Sequence, residues 1–251
     1  MDSKKNLNGK VFVITGANSG IGKELTRILN EKGAKVYMIC RSETKAIEAK
    51  KEILESNNKK LNDDSLLQIL LGDVSLKRDV LKIVQTIQEN ESFINGLVCN
   101  AGALSENKNI TDEGYEQTFA CHFLFGSYLL GNLMLPLLEK APKTTNDDDD
   151  NIGSRLIFIT SGGMYLQKLV SYEMASNEIG KYNGITAYSM AKRAQVELAN
   201  RMSIDLINKK SNVKVFTAHP GWTRSPGVDS SFGSSQVMLE PMRSAYQGTE
   251  G

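Results

Sequence analysis

The feature that most limits how this chain can fold is the stretch Thr15-Gly16-Ala17-Asn18-Ser19-Gly20-Ile21-Gly22. It follows a continuous apolar run, Val11 to Thr15, and opens a segment with helical spacing, Glu24 to Glu31. A run apolar at every position belongs to a strand buried on both faces. Gly16 permits a tight turn, Gly20 lets the backbone approach a pyrophosphate, and Gly22 lets the helix sit close to the strand. The free N–H groups and the dipole at the start of the helix favour a phosphate there. A glycine pattern alone is weak. The strand–turn–helix setting near the chain start gives it weight against the plainer reading of a glycine-rich turn without ligand.

The rest of the chain repeats this alternation. Strands are expected at Lys35 to Cys40, Leu66 to Leu71, Gly96 to Cys99, Arg155 to Thr160 and Val213 to Ala218. Helices are expected at Thr44 to Glu55, Leu76 to Glu89, Asp112 to Glu139 and Ile185 to Asn208, and Gly33 is placed to end the first one. Six strands alternating with helices argue for an α/β fold, a doubly wound parallel sheet of Rossmann type with helices on both faces. The chain, 1–251, reads as one dinucleotide-binding domain. Lys143 to Gly153 holds the run Thr-Thr-Asn-Asp-Asp-Asp-Asp-Asn, which buries nothing, repels itself and lacks the spacing of a calcium loop, so a solvated loop is expected.

Composition removes several alternatives. Thirty basic residues balance twenty-nine acidic ones, and no basic stripe appears, so a nucleic-acid partner is not expected. Cys40, Cys99 and Cys121 fit neither a metal pattern nor a disulfide framework and read as buried free thiols; no metal is expected. Met1 to Lys10 has no apolar core of a secretory signal. The apolar run Phe123 to Leu138 is interrupted by Gly126, Gly131 and Pro136, so no membrane span is expected, and a cytoplasmic location is the default.

In an open parallel sheet, ligands sit beyond the carboxyl ends of the strands. Four such ends carry small or polar residues: Gly16 to Gly22, Asp73-Val74, Asn100-Ala101-Gly102 and Thr160-Ser161-Gly162-Gly163. Asn18, Ser19 and Ile21 lie within the glycine loop. At the end of the second strand stands Arg41, where an adenosine ribose would lie. Arg pairs with a 2′-phosphate and points to NADP; Glu43 nearby is the alternative, an acidic ribose ligand that keeps NAD open, and a solvated surface Arg is the plain reading. Tyr188 and Lys192 stand at i and i+4 on an expected helix and share a face. A lysine charge favours the phenolate and lowers the tyrosine pKa, so Tyr188 can exchange a proton, while Lys192 can also reach a cofactor ribose. Such a pair is common and means little alone; Ser161, able to hydrogen-bond a carbonyl oxygen, gives it company.

With these residues in view, the chain resembles the short-chain dehydrogenase/reductase family along its whole length. The matching features are the TGANSGIG loop, Asp73, the NAG of Asn100 to Gly102, Ser161, the YSMAK box and His219-Pro220-Gly221. Finer phrases resemble the subgroup of family member 12 and its relatives. The resemblance implies a carbonyl or alcohol as small-molecule substrate and Tyr188 as general acid in reduction and general base in oxidation. Lys192 would tune Tyr188 and bind the nicotinamide ribose, Ser161 would orient the substrate oxygen, and Pro220, Gly221 and Thr223 would line the nicotinamide pocket. A homo-oligomer is common in such a family. Two departures stand out. His122 occupies the position of a family Asn that takes part in a proton relay, and it reads either as a catalytic relay or as a satisfied helix histidine. The family pattern also continues beyond a segment such as Gln247 to Gly251 into a seventh strand, which is expected to be absent here. The rival reading is a dinucleotide-binding regulatory or scaffold protein with little turnover.

Overall fold

The computed structural model describes residues 6–57, 64–142, 153–169, 171–224 and 240–249. Six strands form one sheet: β1 Val11–Thr15, β2 Lys35–Cys40, β3 Leu67–Leu71, β4 Gly96–Cys99, β5 Arg155–Ile159 and β6 Lys214–Ala218. All pairings are parallel, in the order β3-β2-β1-β4-β5-β6. The order reverses between β1 and β4, the topological switch point where this architecture binds ligands. Alternate side chains leave opposite faces of each strand. Val11 and Val13 of β1, with Tyr37 and Ile39 of β2, enter one core. Ile14, Val36, Met38 and Cys40 enter the other. Each such fully buried Val, Ile or Met side chain contributes about 1.5–3 kcal/mol, so covering both faces is what holds the sheet.

The helices are α1 Gly20–Glu31, α2 Glu43–Ser56, α3 Lys77–Asn90, α4 Gln117–Glu139, α5 Tyr172–Ala175, α6 Gly184–Asn208 and α7 Ala245–Thr249. α1 and α2 cover one face through Leu29, Ala46, Ala49 and Ile53. α3, α4 and α6 cover the other through Val80, Ile83, Leu130, Met134, Leu198 and Met202.

The long helix begins at Gln117 rather than Asp112. Before it, Thr111 N–H donates to the Tyr115 carbonyl at 2.8 Å, and Ile110 and Glu116 form an isolated bridge. Glu116 then caps the helix, its carboxylate accepting from Thr118 N–H and Phe119 N–H at 2.8 Å each. Within α4, Ala120–Leu129 winds as a π-helix, which the sequence reading took as ordinary helix. By length and composition Gln117–Glu139 would suffice to cross a bilayer, more than the interrupted apolar run suggested, yet half of its most apolar window is buried within the fold. Residues 143–152 of the acidic loop lie outside the described residues. Among those described, β6 is the last strand and an edge of the sheet.

Candidate active site

The nucleotide half is a backbone cradle. Gly16 and Gly20 sit at φ +66 and +52, a region that favours glycine. A Cβ on Gly22 would lie 2.4 Å from the Gly16 carbonyl oxygen and 2.5 Å from the Asn100 side-chain nitrogen. The loop therefore closes only with glycine there. Ser19 is the N-cap of α1 but makes no side-chain cap bond, and Asn18, Gly20 and Ile21 are partly exposed beside it. This arrangement fits a dinucleotide pyrophosphate: glycines where a side chain would fill the space, at the N-terminus of a 12-residue helix.

Asn100 shapes this cradle from behind. Its amide donates to the Thr15 carbonyl at 2.9 Å and the Gly16 carbonyl at 3.4 Å. Thr15 Oγ1 in turn accepts from the N–H groups of Asn100 and Ala101, each at 2.9 Å. The sequence reading missed Thr15, whose threonine is hidden inside an otherwise apolar strand. Arg41 and Asp73 meet at the ends of β2 and β3, with Arg41 Nη1 at 3.5 Å from Asp73 Oδ2 and the guanidinium largely exposed. Asp73 Oδ1 also accepts from Ser75 N–H and Ser75 Oγ, at 2.8 and 2.7 Å, and Val74 beside it is buried. Glu43 is exposed in the first turn of α2.

The reacting half is built from β4, β5, α4 and α6. Ser161 follows β5 and starts a short 3-10 turn, Gly162–Leu166, accepting from Gly163 N–H at 3.3 Å. It stands close enough to Tyr188 on α6 to favour the ionised phenol. Lys192, one turn along, is buried; its Nζ donates to the Ile159 carbonyl at 2.7 Å and lies 5.6 Å from the centre of the Tyr188 ring. Burial pulls the Lys192 ammonium down to about 8. The sequence reading expected Lys192 to lower Tyr188. Here burial pushes the Tyr188 phenol up, and only Ser161 opposes it, because the ammonium is turned to the β5 carbonyl.

His122 is brought into this group. Its ring meets the Tyr188 ring edge-on at 5.2 Å between centres, and its Nε2 lies 3.0 Å from the Ala103 carbonyl oxygen. A carbonyl only accepts, so Nε2 carries the proton. Nδ1 is buried without a partner. Burial, and then the Lys192 charge, lower this imidazole to about 3, so it stays neutral at ordinary pH. Gly102 makes the contact possible: a Cβ there would sit 2.0 Å from His122 Cε1.

At the third edge, Gly221 has φ +75, and the Thr223 hydroxyl donates to the Pro220 carbonyl at 2.9 Å. Arg243 Nη1 donates to the same carbonyl at 3.3 Å, and Gly248 of α7 packs between Thr223 and Ile21 of α1. Sequence reasoning missed Arg243 and Gly248, which carry no local pattern. It also missed Tyr182, whose hydroxyl lies at 3.3 Å from the Ser105 carbonyl and 3.4 Å from Glu116.

A switch-point cradle for a dinucleotide, facing a serine, a tyrosine and a lysine, is the arrangement of an NAD(P)-dependent oxidoreductase. The chain belongs to the short-chain dehydrogenase/reductase family: residues 10–171 match the family model described as short chain dehydrogenase. It is similar to dehydrogenase/reductase SDR family member 12 of Bos taurus, 32% identical over 250 residues covering 99% of this chain and 72% of that protein. It is also similar to retinol dehydrogenase 12 of Bos taurus, 33% identical over 231 residues covering 90% of this chain and 65% of that one. Among solved structures, the RhlG/NADP complex of Pseudomonas aeruginosa superposes with a TM-score of 0.67 at 19% identity, covering 92% of this chain and 79% of that chain. A short-chain type dehydrogenase/reductase from Mycobacterium marinum gives 0.70 at 21% identity, covering 98% and 87%. These two share the fold.

Proposed function

We propose that this protein interconverts a carbonyl and an alcohol with NADP(H), Tyr188 acting as general acid in reduction and general base in oxidation. The observation that carries this reading is the meeting of Ser161, Tyr188 and Lys192 beyond the carboxyl ends of the strands, with Lys192 Nζ 5.6 Å from the centre of the Tyr188 ring. A nicotinamide cofactor supplies the hydride when bound. Gly16 to Gly22 would hold its pyrophosphate, Asp73 to Val74 and Ala101 to Gly102 would border it, and Pro220 to Thr223 would close its nicotinamide end. Arg41, exposed at the end of β2, is placed for a 2′-phosphate and supports NADP over NAD.

The chain's own chemistry is a proton transfer. Ser161 orients the substrate oxygen toward Tyr188 Oη. In reduction Tyr188 gives its proton to that oxygen as negative charge builds on it. A buried phenolate is costly, and Ser161 is the group that favours it here, while the Lys192 ammonium, held on the Ile159 carbonyl, lies one turn away on the same helix. In oxidation the same proton returns to Tyr188.

Two observations guide the choice of substrates. Tyr165 and Leu166, one turn beyond Ser161, and Ile185, one turn before Tyr188, are large apolar side chains left exposed. Some relatives are named retinol dehydrogenases. Apolar aldehydes and ketones, retinal among them, are therefore the first probes. For location we favour the cytoplasm, since all three cysteines are free, as in a reducing compartment; cell fractionation checks it. The test of function is NADPH and NADH oxidation across that panel, with Tyr188→Phe as control. Turnover in the parent and its loss in the control support the reading; cofactor binding with no turnover anywhere would establish the scaffold alternative instead.

A further inference from the structure

We propose that Gln195, Ser127 and His122 form a brace of positioning residues that sets Tyr188 against the segment 100–103. The proposal rests on the reading of Tyr188 as the proton-transferring group.

Gln195 lies on α6, three residues after Lys192 and seven after Tyr188, so the three share a helix face. Its side-chain nitrogen donates to Ser127 Oγ at 2.9 Å. Ser127 Oγ donates in turn to the His122 carbonyl at 2.6 Å. One hydroxyl thus accepts one bond and gives one, and all three residues are buried. His122 completes the path by donating Nε2–H to Ala103 while its ring rests edge-on against Tyr188. Two points of the catalytic helix, Tyr188 and Gln195, thereby meet one imidazole and, through Ser127, one carbonyl of α4.

The π winding is what makes this possible. In an α-helix, residues five apart are turned by about 140° from each other, and a serine hydroxyl reaches back three or four residues. A π-helix stacks residue i on i+5, which aligns Ser127 with His122. The brace is also expensive. Gln195 Oε1 and His122 Nδ1 are both buried without partners, a cost that apolar side chains of similar shape would avoid. Polar groups kept at a cost beside a reacting tyrosine are better explained by geometry than by stability. Lys192 and Tyr188 are the titratable groups facing the imidazole from α6, and Cys121 adjoins it on α4; the imidazole stays neutral and acts by position.

The experiment uses the full chain with NADPH and an aldehyde that the parent reduces. Ser127→Ala and His122→Phe should each lower kcat about ten- to a hundredfold, as misplacement of a reacting group does. KM and the NADPH Kd should stay near the parent's. Ser127→Thr, which keeps the hydroxyl, and His122→Gln, whose amide nitrogen reaches about where Nε2 lies, should recover most of the loss. Parent-like kcat in both Ser127→Ala and His122→Phe overturns the brace. So does a kcat loss that merely follows lost cofactor binding and a fallen melting temperature, or recovery by His122→Asn in place of His122→Gln. Nitrogen-15 spectra of the NADPH-bound protein separate this from the functional reading. If no carbonyl is turned over, the proposed activity fails, while an imidazole proton held on Nε2 in the parent and lost in Ser127→Ala still supports the brace. An unchanged His122 signal overturns it.

Discussion

Gly16 to Gly22 and Tyr188 to Lys192 face each other across the switch point of the sheet, and they are held there by different means. The nucleotide end is nearly all backbone: positive φ at two glycines, a helix N-terminus, and an Asn100 amide that closes on the carbonyls of Thr15 and Gly16. The reacting end is nearly all side chain. Its members come from four elements, and burial sets their protonation: the Tyr188 phenol up, the Lys192 ammonium down to about 8, the His122 imidazole down to about 3. A backbone site tolerates side-chain change and fails when a Cβ intrudes. A side-chain site fails when one functional atom is removed. Substitutions that respect this difference sharpen it, and those that cross it would break it.

The largest effect expected is at the reacting end. Tyr188→Phe removes the transferable proton and leaves the ring against His122, so kcat should fall about 10²–10⁴-fold while the NADPH Kd stays close to the parent's. Steady-state rates and cofactor fluorescence titration measure the two separately. Retained activity within a few-fold would remove Tyr188 from the chemistry. Next comes the converse. Gly22→Val forces a Cβ into the Gly16 carbonyl and the Asn100 amide, so cofactor binding should be lost, and overpacking should cost about 1–3 kcal/mol of stability. NADPH binding at parent strength would mean that the cradle is not the cofactor site.

A smaller change is expected at the adenosine end. Arg41→Asp removes the cation proposed for the 2′-phosphate and places a carboxylate beside Asp73. A charge-assisted bond is worth about 1.5–3 kcal/mol, so NADPH should weaken about tenfold or more while NADH holds or improves. Equal Kd values for the two cofactors in the parent would shift attention to Glu43.

The same contrast explains what could be read beforehand. β1, β2 and β4 begin and end where the apolar runs do, because buried parallel strands write themselves as unbroken hydrophobic segments. The glycine loop is equally local. The YSMAK pair was visible because i and i+4 share a face. The lowering of Tyr188 by the Lys192 charge that the spacing suggested was not realised, because Lys192 turned to the Ile159 carbonyl, on a strand far away in sequence. The late start of α4 depends on Glu116 capping it, and Asn177 and Tyr182, which hold the Glu116 carboxylate, are 61 and 66 residues away. The π segment and the Gln195–Ser127 bond depend on packing between two helices, and no short pattern announces them. Local backbone sites are legible; side-chain sites are legible only in the residues that happen to be neighbours in sequence.

The smallest effect concerns stability and follows from the sign of the shift at His122. Its proton affinity in the folded chain is lowered to about 3, against an ordinary value of 6.5. Between these two values the unfolded chain binds a proton that the folded chain refuses. Stability therefore falls as pH drops through that window, and the loss from this group is absent above it. Lys192 works in the same direction on the alkaline side: lowered to about 8 from 10.5, it makes stability rise with pH between those values. His122→Phe removes the acid window while keeping an aromatic ring against Tyr188. Its melting temperature should therefore gain on the parent's as pH is lowered from about 6.5 toward 4, whatever the offset between the two proteins at neutral pH. Carboxylates act on both proteins alike and cancel in the comparison. Parallel melting curves across that range would show that His122 takes up its proton at an ordinary pH, and that the reacting end is wetter than its packing indicates.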